Sequence, residues 1–102
     1  MSDADKIKNI VACHFGVTIL EMEGPNRQRK RTVARQAGYV LMRQFTECSL
    51  PEIGEEFGGR DHTTVMHGID VTKARLLKDR SLSDRFGAAQ SEVRNSLFPI
   101  GF

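Results

Sequence analysis

Gly58-Gly59-Arg60-Asp61-His62-Thr63-Thr64-Val65-Met66-His67 is the stretch on which the reading of the chain turns. Paired glycines make a tight turn, and the residues after them open a helix. Asp, His and Thr are poor helix formers. They suit a first turn that must offer an acceptor, donors and a methyl group to a nucleic-acid groove. Just upstream, Ser49 to Phe57 reads as a short amphipathic helix opened by a Ser49-x-x-Glu52 capping box. Pro51 is tolerated there because a first turn needs no backbone donor. The second helix extends from about His62 to Leu77, with Asp61 as N-cap and Val65, Ile69, Thr72 and Leu76 turned to a core. Residues 49 to 77 thus read as a helix-turn-helix, and double-stranded DNA is the predicted partner.

The rest of the chain repeats the helical period. Ile7, Ile10, Val11 and Phe15 form one face that Gly16 ends, and Thr18 to Glu23 reads as a short helix with a Thr18–Glu21 capping box. After the Gly24-Pro25 break a longer helix covers about Arg29 to Thr46, with Val33, Ala37, Val40, Leu41 and Phe45 inward. Gly38 inside it costs about 1 kcal/mol against alanine, which points to close helix packing. A last helix is expected from about Ser83, carrying Leu82, Phe86, Ala89, Val93 and Leu97 on one face and stopping before Pro99. No segment alternates with a period of two. The predicted fold is all-α, about six helices in one domain over residues 1 to 102, with the helix-turn-helix at its centre.

Composition and charge narrow the function. The 102 residues are 39% hydrophobic and 27% charged, ordinary for a globular protein. No apolar run approaches the ~18 residues of a membrane span. The N-terminus lacks a basic start followed by an apolar stretch, so the cytoplasm, on the nucleoid, is the expected location. Cys13 and Cys48 lack metal-like spacing and are expected to be reduced, partly buried thiols. The formal net charge is only +2, yet Gly24 to Thr46 holds no acid and six bases, Arg27, Arg29, Lys30, Arg31, Arg35 and Arg43. The remainder is net acidic, so the charge is an oriented footprint. A solvated helix face is the bland meaning of such a run. Arg27 and Arg29, however, follow a Gly-Pro break and sit where a loop can extend, and arginine is the side chain that enters narrow A·T-rich minor grooves.

An αα-hairpin used only for packing leaves Arg60 to Thr64, five polar residues in a row, without a use. In a groove, Thr63 or Thr64 can place a methyl against thymine, Asp61 can accept from a cytosine amino group while also capping, and His62 can donate or accept. An enzyme is not expected. His62 and His67 are five apart, so they do not share a face as a zinc pair would, and the chain has no phosphate-binding G-x-x-x-x-G-K-[ST] loop. No cofactor or metal is predicted.

These residues resemble a known family. The stretch Gly58 to His67, with Ser49-Leu50-Pro51-Glu52-Ile53-Gly54 and Val33-Ala34-Arg35-Gln36, is similar to the C-terminal DNA-binding domain (domain IV) of the bacterial replication initiator DnaA, over roughly Lys6 to Leu77. The resemblance implies a Trp-repressor-like helical domain that binds an asymmetric duplex, the DnaA box TTATNCACA. It implies that Arg27 enters the minor groove. Asp61, His62 and Thr63 would read bases in the major groove, with Leu50 and Pro51 near thymine methyls. Phosphate contacts would fall to Arg35, Gln36, Arg43, Thr64 and His67, and the basic loop adds Arg29. Two departures stand out: Gly24, Pro25 and Asn26 replace the family's further bases, and Asp70 lies where a base is common. An ATPase segment is not expected to precede the domain, and the initial Met with the closing Ser-Leu-Phe-Pro-Ile-Gly-Phe leads us to expect a small independent gene product rather than an excised domain. The alternative is a free-standing transcriptional or phage-type regulator with a drifted target. One asymmetric site per monomer is the simpler expectation. A protein partner is left open, and Ile100 and Phe102 are expected to fold back onto the helices rather than form an apolar handle.

Overall fold

A computed structural model describes residues 1–25 and 27–99; Asn26, Ile100 and Phe102, on which some expectations rest, lie outside the described residues. Six helices are present among them, in the order α1 (Asp3–Phe15), α2 (Ile19–Glu23), α3 (Arg29–Phe45), α4 (Leu50–Glu56), α5 (His62–Lys78) and α6 (Arg80–Leu97), with no strand. The fold is all-α, as the sequence predicts.

Local chemistry sets most boundaries. Ser2 accepts a hydrogen bond from the Asp5 amide to open α1, and Gly16 ends it in the left-handed region at φ 68°. Both expected capping boxes form, Thr18–Glu21 on α2 and Ser49–Glu52 on α4. The start of α6 differs from the expectation near Ser83. Asp79 caps both helices at once, closing α5 with its amide on the Arg75 carbonyl and opening α6 by accepting from the Leu82 amide. One residue thus replaces the loop that a later start implies.

The core gathers the faces that the periodicity marks. α3 lies at the centre, against α1, α2, α4, α5 and α6, while α5 packs across α3 and α4. Ile7, Val11, Met22, Ala37, Leu41, Ile53, Phe57, Val65 and Val93 are fully enclosed. Gly38 does allow close packing, against the Phe57 ring that follows α4: a Cβ there would lie 2.6 Å from its Cζ. The same ring meets Tyr39 edge-on at 5.3 Å. Cys13 is exposed rather than partly buried, Cys48 is half-buried, and both are free. No described helix is long and apolar enough to cross a membrane.

Candidate nucleic-acid interface

The turn between α4 and α5 is held by one acceptor. The Gly54 carbonyl receives the amides of Phe57, Gly59 and Arg60 at 3.2, 3.0 and 3.0 Å. Gly58 and Gly59 then pass through positive φ, 87° and 81°, and reverse the chain. α5 starts at once. Asp61 accepts from the Thr64 amide at 2.9 Å and from Thr63 Oγ1 at 2.7 Å. These bonds, the backbone one foremost, pull its carboxyl down to about 2. It is therefore ionised near neutral pH. The cap is as expected.

α5 is anchored on one side and open on the other. Val65, Gly68, Ile69 and Thr72 are buried, whereas His62, Thr63, Thr64 and His67 are exposed. Met66 is half exposed one turn after His62 and on the same side. Sequence alone does not single it out, because a methionine next to Val65 reads as core. Leu50 is half-buried and Pro51 exposed at the head of α4. Arg43 is exposed beside them, its Nη1 donating to the Cys48 carbonyl at 3.3 Å just before the Ser49 cap. Arg27 and Arg29 are exposed, before and at the start of α3.

Two expected phosphate ligands are placed otherwise. Arg35 is 7% exposed, and its guanidinium points inward, Nε donating to the Met22 carbonyl at 2.7 Å and Nη2 to the Gly24 carbonyl at 3.4 Å. Burial, and then Arg60 nearby, lowers its pKa. Its head is thus committed to the end of α2 rather than presented to a phosphate. Gln36 is half-buried, with Oε1 accepting from Arg75 Nη1 at 2.7 Å. Arg75, unmarked by any sequence pattern, joins α5 to α3 there.

Lys8 is a further residue whose role no local sequence pattern marks. It is 8% exposed, and its Nζ meets Glu23 Oε2 at 3.0 Å, Glu56 Oε1 at 3.1 Å and the Glu56 carbonyl at 3.1 Å. Burial lowers its pKa, but the two glutamates outweigh that and the net shift is upward. A cation between Ile7 and Ile10, one turn below Val11, was the available signal. Among the described residues no cluster of His, Cys, Asp and Glu is able to hold a metal.

A capped helix over a glycine turn, its first turn exposed and polar, with basic residues flanking it, defines a helix-turn-helix domain. Residues 4–71 match the family described as bacterial DnaA protein helix-turn-helix. The chain belongs to that family. It is similar to chromosomal replication initiator proteins DnaA from Gloeothece citriformis (49% identical over 87 residues, 85% of this chain) and Crocosphaera subtropica (44% over 87 residues, 85%). The one from Latilactobacillus sakei is 40% identical over 79 residues, 78% of this chain. The chain spans 18 to 19% of the length of these relatives. A solved structure titled as a DNA replication initiation factor superposes with a TM-score of 0.77 at 24% identity, covering 93% of this chain and 30% of that one. That likeness concerns the fold.

Proposed function

We propose that this chain is a sequence-specific reader of double-stranded DNA that recognises DnaA-box-like sites and acts in replication initiation or its control. The observation that carries this is the first turn of α5, where Asp61, His62, Thr63 and Thr64 are all exposed while Val65, the next residue, is fully buried. A helix seated so firmly with so polar a head is built to enter a major groove. Asp61 keeps a carboxylate there that accepts from cytosine, and Thr63 and Met66 bring apolar carbon to thymine methyls. Leu50 and Pro51 lie beside them at the head of α4. Arg27, exposed on the loop before α3, enters the adjacent minor groove. Arg29, Arg43, Thr64 and His67 meet phosphates, while Gln36 and Arg35 support the frame from beneath. One monomer covers one asymmetric site.

The test is a titration onto a duplex carrying TTATNCACA and onto a scrambled duplex, each at two salt concentrations. Preference for the box that persists at the higher salt is expected. Equal, salt-sensitive binding to both would replace this reading with that of a regulator whose target has drifted.

A further inference from the structure

We propose that Arg60 is a positioning residue: it fastens the loop carrying Arg27 to the turn that opens α5, and so holds minor-groove and major-groove readout in one register. This rests on the DNA-reading role proposed above and adds how its two parts are kept together.

Arg60 precedes the Asp61 cap, yet its side chain turns away from α5 and toward α2. Nη1 donates to the Glu23 carbonyl at 2.7 Å and to the Phe57 carbonyl, and Nη2 donates to the Gly24 carbonyl. One guanidinium therefore spans the end of α4 and the end of α2. Arg35 reaches the same place from α3, on the carbonyls of Met22 and Gly24. The last carbonyls of a helix lack intrahelical donors and carry partial negative charge, so two cations are accommodated there without a carboxylate between them. Arg60 thus acts as a C-terminal cap on α2 supplied from the α4–α5 turn.

Two further features hold the anchor still. Lys8 grips the Glu23 carboxylate on one side and Glu56 on the other. Gly58 passes so close to the Glu23 backbone that a Cβ would lie 2.1 Å from its carbonyl oxygen and 2.6 Å from Arg60 Nη1. Only glycine both fits there and adopts φ 87°. The turn and the end of α2 are in direct contact.

Arg27 inherits this placement because its tether is short. Arg27 is three residues on from Gly24, a reach of at most about 11 Å even fully extended. Pro25 stiffens that path, and α3 begins two residues after Arg27. Fixing the Gly24 carbonyl to the head of α5 therefore fixes where Arg27 can go. Without Arg60, the loop still holds to α3 through Arg35, and the end of α2 still touches the turn at Gly58, but the Gly24 carbonyl loses its hydrogen bond to the turn that opens α5.

The experiment is a double-mutant cycle on the box duplex with Arg60→Ala, Arg27→Ala and both, alongside a duplex in which diaminopurine replaces adenine in the A·T-rich half. Diaminopurine places an amino group in the minor groove and leaves the major-groove edge intact. Wild-type protein is expected to lose about tenfold from Arg27→Ala and from diaminopurine alike, as for one good groove contact. In Arg60→Ala both penalties should shrink to about twofold or less, while the salt slope stays the same, because no phosphate contact is removed. Arg60→Lys keeps the charge and guards against a folding defect. One ammonium cannot bridge all three carbonyls as the guanidinium fork does, so it should behave like Arg60→Ala. Full Arg27 and diaminopurine penalties in either variant would overturn the proposal. So would a salt slope reduced by about 1 that lysine restores, which would make Arg60 a phosphate ligand. Should wild-type protein fail to prefer the box at all, the DNA-box reading itself falls, a result separate from an additive cycle.

Discussion

Replacing Gly54 with alanine tests whether the α4–α5 turn is as tightly specified as its hydrogen bonds indicate. A Cβ on Gly54 would lie 1.8 Å from the Arg60 carbonyl oxygen and 2.9 Å from its carbon. Ordinary carbon–oxygen contacts begin near ~3.3 Å, so the strand of the turn must retreat by about 1.5 Å. The atom in the way is backbone, and no rotamer change relieves it. That retreat breaks or stretches the Gly59 and Arg60 bonds to the Gly54 carbonyl, now both 3.0 Å. At ~0.5–1.5 kcal/mol each they contribute about 2 kcal/mol. Disturbed packing of Val65, 3.5 Å from the same point, adds roughly 1 to 2 kcal/mol. Alanine's better helix propensity returns about 1 kcal/mol. The expected net loss is about 2 to 3 kcal/mol. Urea denaturation followed by circular dichroism reads it: with a slope of ~1–3 kcal/mol/M, the midpoint should fall by about 1 to 2 M with the slope unchanged. A midpoint within about 0.3 M of wild type would show that the turn has slack, and that α5 is aimed by its core face alone.

Three further outcomes follow from the same geometry. Thr63→Ala should relax base preference at a single position of the site by about 1–3 kcal/mol; uniform weakening across all sequences in a binding-site selection would move Thr63 to the phosphate backbone. Arg43→Ala should reduce the salt slope of binding by about 1 and leave the ranking of sequences intact, and an unchanged slope removes Arg43 from the interface. Asp61 sits at about 2 in the folded chain against an ordinary 3.8. A lowered carboxyl stabilises above its unfolded value, and that contribution is lost as pH falls from about 4 toward 2. Asp61→Asn keeps an acceptor for the cap and should flatten the acid limb of thermal stability in this window; an acid limb identical to wild type would mean the cap does not govern it.

Most of the fold is legible in the sequence because helix ends here are made by side chains that announce themselves. Ser49-x-x-Glu52 and Thr18-x-x-Glu21 are local patterns with local consequences, and both helices begin where those patterns sit. The junction of α5 and α6 is the exception. Neither glycine nor proline separates Lys78 from Arg80, and Asp79 ends one helix and starts the next. The apolar period of α6 becomes visible only at Leu82, so periodicity alone places its start late.

The interface divides by the kind of partner each residue has. Asp61, His62, Thr63 and Thr64 are visible in the sequence because their helix propensity conflicts with their position, and a conflict of that kind marks function. The roles of Lys8, Arg35 and Arg60 are not, because Arg35 and Arg60 bind backbone carbonyls, which any residue can supply, and Lys8 pairs with glutamates far off in the sequence. The same distinction corrects the electrostatic footprint. Of the six bases between Gly24 and Thr46, Arg35 faces inward on carbonyls, and Arg31 is paired with Glu21. The stripe that faces solvent is Arg27, Arg29, Lys30 and Arg43. At about 0.9 per neutralised phosphate, its largest share of the salt slope is about −3.6, not the roughly −5.4 that six bases suggest. A weaker electrostatic pull leaves more of the binding free energy to groove contacts. If the chain reads DNA as proposed above, four outward bases on this stripe suit it to discriminating among sequences more than to holding DNA at large.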